Sequence, residues 1–261
     1  MTEQQQIRFV DGAGYEQMMG VWSRMAGEVF LDWLAPAKGL AWADIGCGNG
    51  AFTELLVDRV APKSIIGVDP SPEQLKFARE RHTAGLVQFA QAGAMELPIA
   101  DKSVDAAAMA LVIFFVPEPV VGVREMMRVV RSGGPVAAYA WDFPGGGFPW
   151  DVIQNEVRAA GINVPRPPSA YISDLKALHQ LWVDAGLQSV ASRDIVVERI
   201  FPSFDEFWRI GMLTPTMVGL MEATPPATMA AVKERVRARV RIDGGRVIHS
   251  GRASAVQGIV P

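Results

Sequence analysis

Residues 40–50 read Leu40-Ala41-Trp42-Ala43-Asp44-Ile45-Gly46-Cys47-Gly48-Asn49-Gly50, followed by Ala51-Phe52-Thr53-Glu54-Leu55-Leu56-Val57. The first part is an apolar run of strand length, the middle is a glycine-rich turn, and the last part suits the first turns of a helix. A strand, a glycine turn and a helix in that order form a nucleotide-binding corner. Glycine has no Cβ, so the turn bends tightly and lets a ligand approach the backbone. The next apolar run, Ile65-Ile66-Gly67-Val68-Asp69, ends in a carboxylate. An acid at that place suits the two hydroxyls of a ribose. The two stretches together predict the site of an adenine nucleoside cofactor.

Two cofactors fit that description. Dinucleotide sites use Gly-x-Gly-x-x-Gly, with a pyrophosphate facing the helix N-terminus. Here the spacing is Gly46-x-Gly48-x-Gly50, with Ala51 where the third glycine of that pattern would fall. Asp44, two places before the first glycine, separates the cases. A carboxylate at the mouth of the turn repels a pyrophosphate but holds water or an ammonium group, such as the amino end of S-adenosylmethionine.

Composition bounds the rest. The chain has 261 residues, 49% of them hydrophobic, which supports a substantial core. A net charge of -3 and a pI near 5.7 show no global basic surface, so no nucleic-acid partner is expected. Cys47 is the only cysteine and lies inside the glycine turn, where a small filler is expected and not a nucleophile. The polar start, Met1-Thr2-Glu3-Gln4-Gln5-Gln6, is no secretory signal. The apolar run at 106–117 is too short to span a bilayer. These features predict a cytoplasmic protein without membrane insertion.

The order of elements predicts an α/β fold. Met18, Val21, Trp22, Met25, Val29, Phe30 and Trp33 recur at helical steps before the glycine turn. That helix, bearing Tyr15, Met19, Trp22 and Arg24 on or near it, is either a lid over the cofactor or a packing helix. Strands and helices then alternate through residue 142, which gives a parallel sheet with right-handed crossovers. Ser71 is expected to cap the helix begun by Pro72. The fourth strand is expected to run from about Ser103 through Leu111 to Phe114-Phe115. The helix after Pro117 is expected to bury Val120, Val123, Met127 and Val130. Ligands bind beyond the carboxyl ends of such strands, which places Asp44, Asp69, the loop 91–95, Trp141 and Asp142 on one rim. After residue 142 a helical insertion and two further strands are expected, near 190–200 and 247–260. The run Arg235-Val236-Arg237-Ala238-Arg239-Val240-Arg241 fits a strand by period and a helix by context.

These residues resemble the class I S-adenosylmethionine-dependent methyltransferases, with the nearest look to the ubiquinone/menaquinone-biosynthesis subgroup. The resemblance rests on the Asp44–Gly50 stretch, Gly67-Val68-Asp69-Pro70-Ser71, Glu96-Leu97-Pro98, Ser103-Val104-Asp105 and Arg128-Val129-Val130-Arg131-Ser132-Gly133-Gly134. It implies a Rossmann-like, doubly wound, seven-stranded sheet in the order 3-2-1-4-5-7-6 with the last strand antiparallel. One methyltransferase domain would span 1–261: a helical lid at 1–39, a cofactor core at 40–142 and substrate-side elements at 143–261. Asp44, Gly46, Cys47 and Gly48 would face the methionine part of the cofactor, and Asp69 the ribose. Pro70, Gly93, Ala94 and Met95 would lie by the adenine, and Leu111 at the fourth strand's end completes the set. The common pattern has an Asp-Ala pair where this chain has Gly93-Ala94. Loss of that carboxylate predicts weaker adenine recognition, by about 1 to 3 kcal/mol.

Methyl transfer from a sulfonium needs alignment and dryness more than acid–base chemistry. Tyr15, Trp22, Arg24, Phe115 and Trp141 are the candidate acceptor pocket for a small molecule. The three histidines, His82, His179 and His249, are expected to be structural or superficial, and no spacing predicts a metal. The alternatives are a non-catalytic module of the same fold and a nicotinamide-dependent oxidoreductase.

Overall fold

A computed structural model describes residues 16–81, 84–213 and 215–261. Tyr15 and His82 lie outside the described residues. The parallel core is β1 (Ala41–Ile45), β2 (Ser64–Asp69), β3 (Val87–Gln91), β4 (Ala106–Ala110) and β5 (Pro135–Trp141). Beyond it come β6 (Gln188–Phe201), β7 (Arg241–Asp243) and β8 (Arg246–Ile259). They form one sheet in the order β3-β2-β1-β4-β5-β8-β6, with β7 paired only to β8. β8 runs antiparallel to both β5 and β6. The expected order is therefore found, with one short strand added. β7 arises because Gly244 and Gly245, both at positive φ, let the chain reverse into β8.

The helices are α1 (Val21–Leu34), α2 (Ala51–Val60), α3 (Pro72–Glu80), α4 (Pro119–Val129), α5 (Asp151–Ala159), α6 (Leu175–Ala185), α7 (Phe204–Gly211), α8 (Pro215–Ala223) and α9 (Pro226–Arg237). Their ends follow local chemistry. Ser71 accepts the amide of Gln74 at the start of α3. Asp174 accepts the amides of Lys176 and Ala177 at the start of α6, and Gly186 ends it at φ +94°. Of the basic run, residues through Arg237 are helical and Arg241 opens β7.

α1 buries Trp22, Ala26, Phe30, Leu31 and Leu34. Its Phe30 stacks near Tyr139 of β5, with ring centroids 4.7 Å apart. α1 is thus a packing helix along its length.

Two expected details are corrected. β4 ends at Ala110, not at Phe115, because Leu111 turns left-handed (φ +62°) and residues 113–115 form a 3₁₀ turn. An all-apolar run carries no sign of that break. The inner face of α4 is Pro119, Gly122, Val123, Met126 and Val129, while Val120 is 41% exposed. Gly122 sits against Met109 and Val116, and a glycine is invisible to a count of apolar side chains.

Candidate active site

The parallel strands aim their carboxyl ends at one rim, and the glycine turn closes over the first of them. Gly46, Gly48 and Gly50 all have positive φ. At Gly46 a Cβ would also meet Val112 Cγ2 at 2.4 Å, so only glycine lets this turn lie against the end of β4. The amides of Gly46 and Cys47 both donate to Val68 O, at 2.7 and 3.0 Å, which docks the turn on β2. Arg81 Nε donates to Asn49 O at 2.7 Å and holds the outer side of the turn to the end of α3.

Two carboxylates stand at this turn. Asp69 is 9% exposed; its Oδ2 accepts Gly48 N and its Oδ1 accepts Ser71 N, both at 2.9 Å. One side chain thus joins the glycine turn to the start of α3, and each oxygen retains a lone pair for a further donor. Burial raises the Asp69 carboxyl above its ordinary value, against the two amide bonds that lower it.

Asp44 is fully buried. Thr53 Oγ1 of α2 donates to its Oδ2 at 2.5 Å, while Oδ1 is buried without a partner. Burial above all, with a smaller contribution from the charge of Asp69, pushes the Asp44 carboxyl up to about 7, although the Thr53 bond opposes it. A buried carboxylate oxygen with no donor is costly, and such orphans in native proteins ask for an explanation. A cationic donor at this rim would supply one. Burial, with Asp44 and Asp69 nearby, also pushes the Cys47 thiol far up, so it stays a neutral filler.

The loop after β3 carries Gly93, Ala94 and Met95. A Cβ on Gly93 would touch nothing within 4 Å, so this edge is open. Ala92 N donates to Asp69 O at 3.2 Å and Gln91 Nε2 to Pro70 O at 3.2 Å, tying the loop to the end of β2. Leu111 N donates to Tyr139 O at 2.8 Å, which fixes the left-handed corner above β4. Asp44, Gly46, Cys47, Gly48, Asp69, Pro70, Gly93–Met95 and Leu111 therefore belong to one continuous rim.

The expected acceptor residues divide. Phe115 is half-buried and lies 4.6 Å from Phe114 between ring centroids. Phe143 and Phe148, half-buried after β5, extend the row at 5.0 Å spacings. Neither was singled out from the sequence, because Phe-Pro-Gly-Gly-Gly-Phe-Pro reads only as a connection. Trp22 and Trp141 are instead buried in the core, 0% and 1% exposed. Arg24 lies on the surface, paired with Glu28 at 3.2 Å. Asp142 is bound by Arg252 at 2.5 Å and by Gly145 N. His249 is buried and meets Pro149 O at 2.7 Å, and burial lowers its pKa. His179 meets Ser192 Oγ at 3.0 Å. Among the described residues no group of His, Cys, Asp and Glu is arranged to hold a metal ion. Nor is any helix among them long and apolar enough to cross a membrane.

Comparison with known proteins agrees with this geometry. Residues 43–138 match the family described as "Methyltransferase domain". An uncharacterized methyltransferase of Mycobacterium ulcerans is 37% identical over 121 residues, 44% of this chain and 47% of that protein. The core of this chain is thus similar to methyltransferase domains. The match spans less than half the length of that relative. Two solved structures share the fold. Phosphoethanolamine N-methyltransferase 2 of Haemonchus contortus, in complex with S-adenosyl-L-methionine, has a TM-score of 0.58 at 14% identity, covering 95% of this chain and 56% of that one. The [4+2]-cyclase SpnF has a TM-score of 0.56 at 20% identity, covering 90% and 81%.

The core also contains residues at the glycine turn that sequence reasoning missed. Thr53 is the partner of Asp44, and its signal was a hydroxyl nine residues on, in an otherwise apolar helix start. Val112 is the side chain that makes Gly46 obligatory. It follows a strand that the sequence extends too far.

Proposed function

We propose that the chain binds S-adenosyl-L-methionine and transfers its methyl group in line to a small-molecule acceptor, leaving S-adenosyl-L-homocysteine. The observation that carries this reading is the pair of buried carboxylates at the glycine turn, one with an orphan oxygen. Asp44 would take the cofactor's ammonium, directly or through water. Asp69 would take ribose hydroxyls while it holds the turn. Gly46, Cys47 and Gly48 would line the methionine part, and Pro70, Gly93, Ala94 and Met95 the adenine. Leu111 would close the floor. When bound, the cofactor supplies a methyl group on a positively charged sulfur.

The protein's own work is then placement and exclusion of water. The row of Phe115, Phe143 and Phe148 would form an apolar wall for the acceptor and keep the rim dry. Productive alignment requires about 3 to 3.5 Å between the acceptor atom and the methyl carbon. In this reading 40–142 and 143–261 are cofactor core and substrate side of one domain, with α1 packed against the sheet.

Calorimetric titration with S-adenosylmethionine and S-adenosylhomocysteine tests this, with nicotinamide cofactors as controls. Binding at about micromolar Kd, about −8 kcal/mol, by the first pair alone is expected. Well-folded protein that ignores both at millimolar concentration would falsify the reading. A second reading, a module of this fold that does not transfer methyl groups, is favoured by the absent carboxylate at Gly93. It predicts loss of cofactor affinity in well-folded protein.

A further inference from the structure

The interface of α5 and α9 carries an ionic cluster that the cofactor rim does not use. Glu156 of α5 is 2% exposed. Its Oε2 accepts from Arg235 Nε at 2.8 Å, and its Oε1 lies 2.6 Å from Arg239 Nε. One buried carboxylate is neutralised by one guanidinium, so the second leaves a net positive charge. Both arginines are held by the Nε edge, and Arg235 Nη2 also reaches Glu156 O at 3.4 Å. Arg235 Nη1 and both terminal nitrogens of Arg239 bond no other described residue. Glu156 therefore orients two guanidinium groups and leaves Arg235 Nη1 and both terminal nitrogens of Arg239 for a further acceptor such as a phosphate or carboxylate.

Those ends line an open hollow of about 740 Å³ between the two helices. Its other walls are the methyl groups of Ala159 and Ala160 on α5 and of Ala227 and Ala231 on α9. Thr228 lines the far end, in the first turn of α9. Seven residues separate Thr228 from Arg235, which is roughly 10 Å along a helix. The small side chains keep the hollow wide, and Glu156 is the one carboxylate among the residues that line it.

We infer that this hollow binds a small organic anion, its phosphate or carboxylate on Arg235 and Arg239 and its apolar body against the alanine methyls. The site shares no residue with the cofactor rim, and it does not depend on the methyltransferase reading.

The test is calorimetric titration of the full chain with phenyl phosphate and with benzoate at constant ionic strength. Wild type is compared with Arg239→Gln and Ala231→Trp, each checked for an unchanged circular-dichroism melt. Both substitutions fall at solvent-exposed positions. One-to-one binding of either probe, weakened about tenfold by Arg239→Gln and lost in Ala231→Trp, is the expected result. Which probe binds tells phosphate from carboxylate. Equal affinities in all three proteins, or heat reproduced by potassium chloride, would overturn the site, as would no binding of either probe. S-adenosylmethionine affinity is expected to be the same in all three.

Discussion

The two ends of the parallel sheet are built from equally distinctive sequence, but among the described residues only one has a buried carboxylate oxygen with no donor. At the amino end, Asp105 accepts Ala41 N at 2.9 Å and pairs with Arg131, which also donates to Ser103 O at 2.9 Å. Arg128 is more fully engaged, with Glu125, Asp101, Leu97 O and Ile99 O. The carboxyls there are lowered, Asp105 first by its amide bond and Glu125 first by Arg128. At the carboxyl end, Asp44 and Asp69 are raised by burial, and Asp44 Oδ1 has no donor. Satisfied charge marks a joint in the scaffold, and a buried carboxylate oxygen without a donor makes the other end the candidate site. The motifs around Ser103 and Arg128 belong to the first kind, however diagnostic they are of the family.

The contrast breaks most visibly if the two ends are cut separately. Asp69→Ala removes the acceptor shared by Gly48 and Ser71. It should weaken S-adenosylmethionine about 100-fold, or about 2.7 kcal/mol, by titration. A loss below about fivefold would mean that this end is scaffold too. Arg128→Ala should do the opposite. Equilibrium unfolding should show a loss of about 2 kcal/mol, discounted for partial exposure, with cofactor affinity moved less than threefold.

Acidity sharpens the comparison further. Asp44, raised to about 7, keeps a proton in the cofactor-free fold that an ordinary carboxyl has already lost. Apo stability should therefore fall as pH rises from about 4 to about 7. An ammonium beside Asp44 lowers its pKa, so cofactor binding should release a proton and tighten by about tenfold between pH 6 and pH 8. Asp44→Asn should flatten that slope, and a slope that survives the change assigns it elsewhere. The smallest effect expected is a gain. Gly93→Asp puts a carboxyl into open space beside the β3 loop and should improve cofactor affinity about fivefold, near 1 kcal/mol.

Much of this was legible before any coordinates. The glycine turn is read directly because its positive φ values demand glycine, and β-α alternation imposes a parallel sheet, while the strand order came from the family resemblance. What sequence hid depends on neighbours distant in the chain. Trp22 and Trp141 looked like rim aromatics, yet Trp22 packs edge-on against Trp150 and His249, 6.3 and 6.2 Å away, and is sealed. Arg24 sat one helical position from the buried face and turned outward to Glu28. Phe143 and Phe148 stack at 5.0 Å only because the connection after β5 doubles back on itself, with Gly147 N on Asp142 O at 2.6 Å.

The long pairing of β6 with β8 has a consequence for how such a chain diversifies. Its register runs from Gln188 opposite Ile259 to Phe201 opposite Val247. The segment between, 202–240, leaves the sheet at the end of β6 and returns as β7 beside the same stretch of β8, so its ends are already held close and extra length costs little. That makes it an exchangeable cassette. A different one could be spliced at Phe201 and Val247 while the glycine turn, about 150 residues before Phe201, keeps its shape.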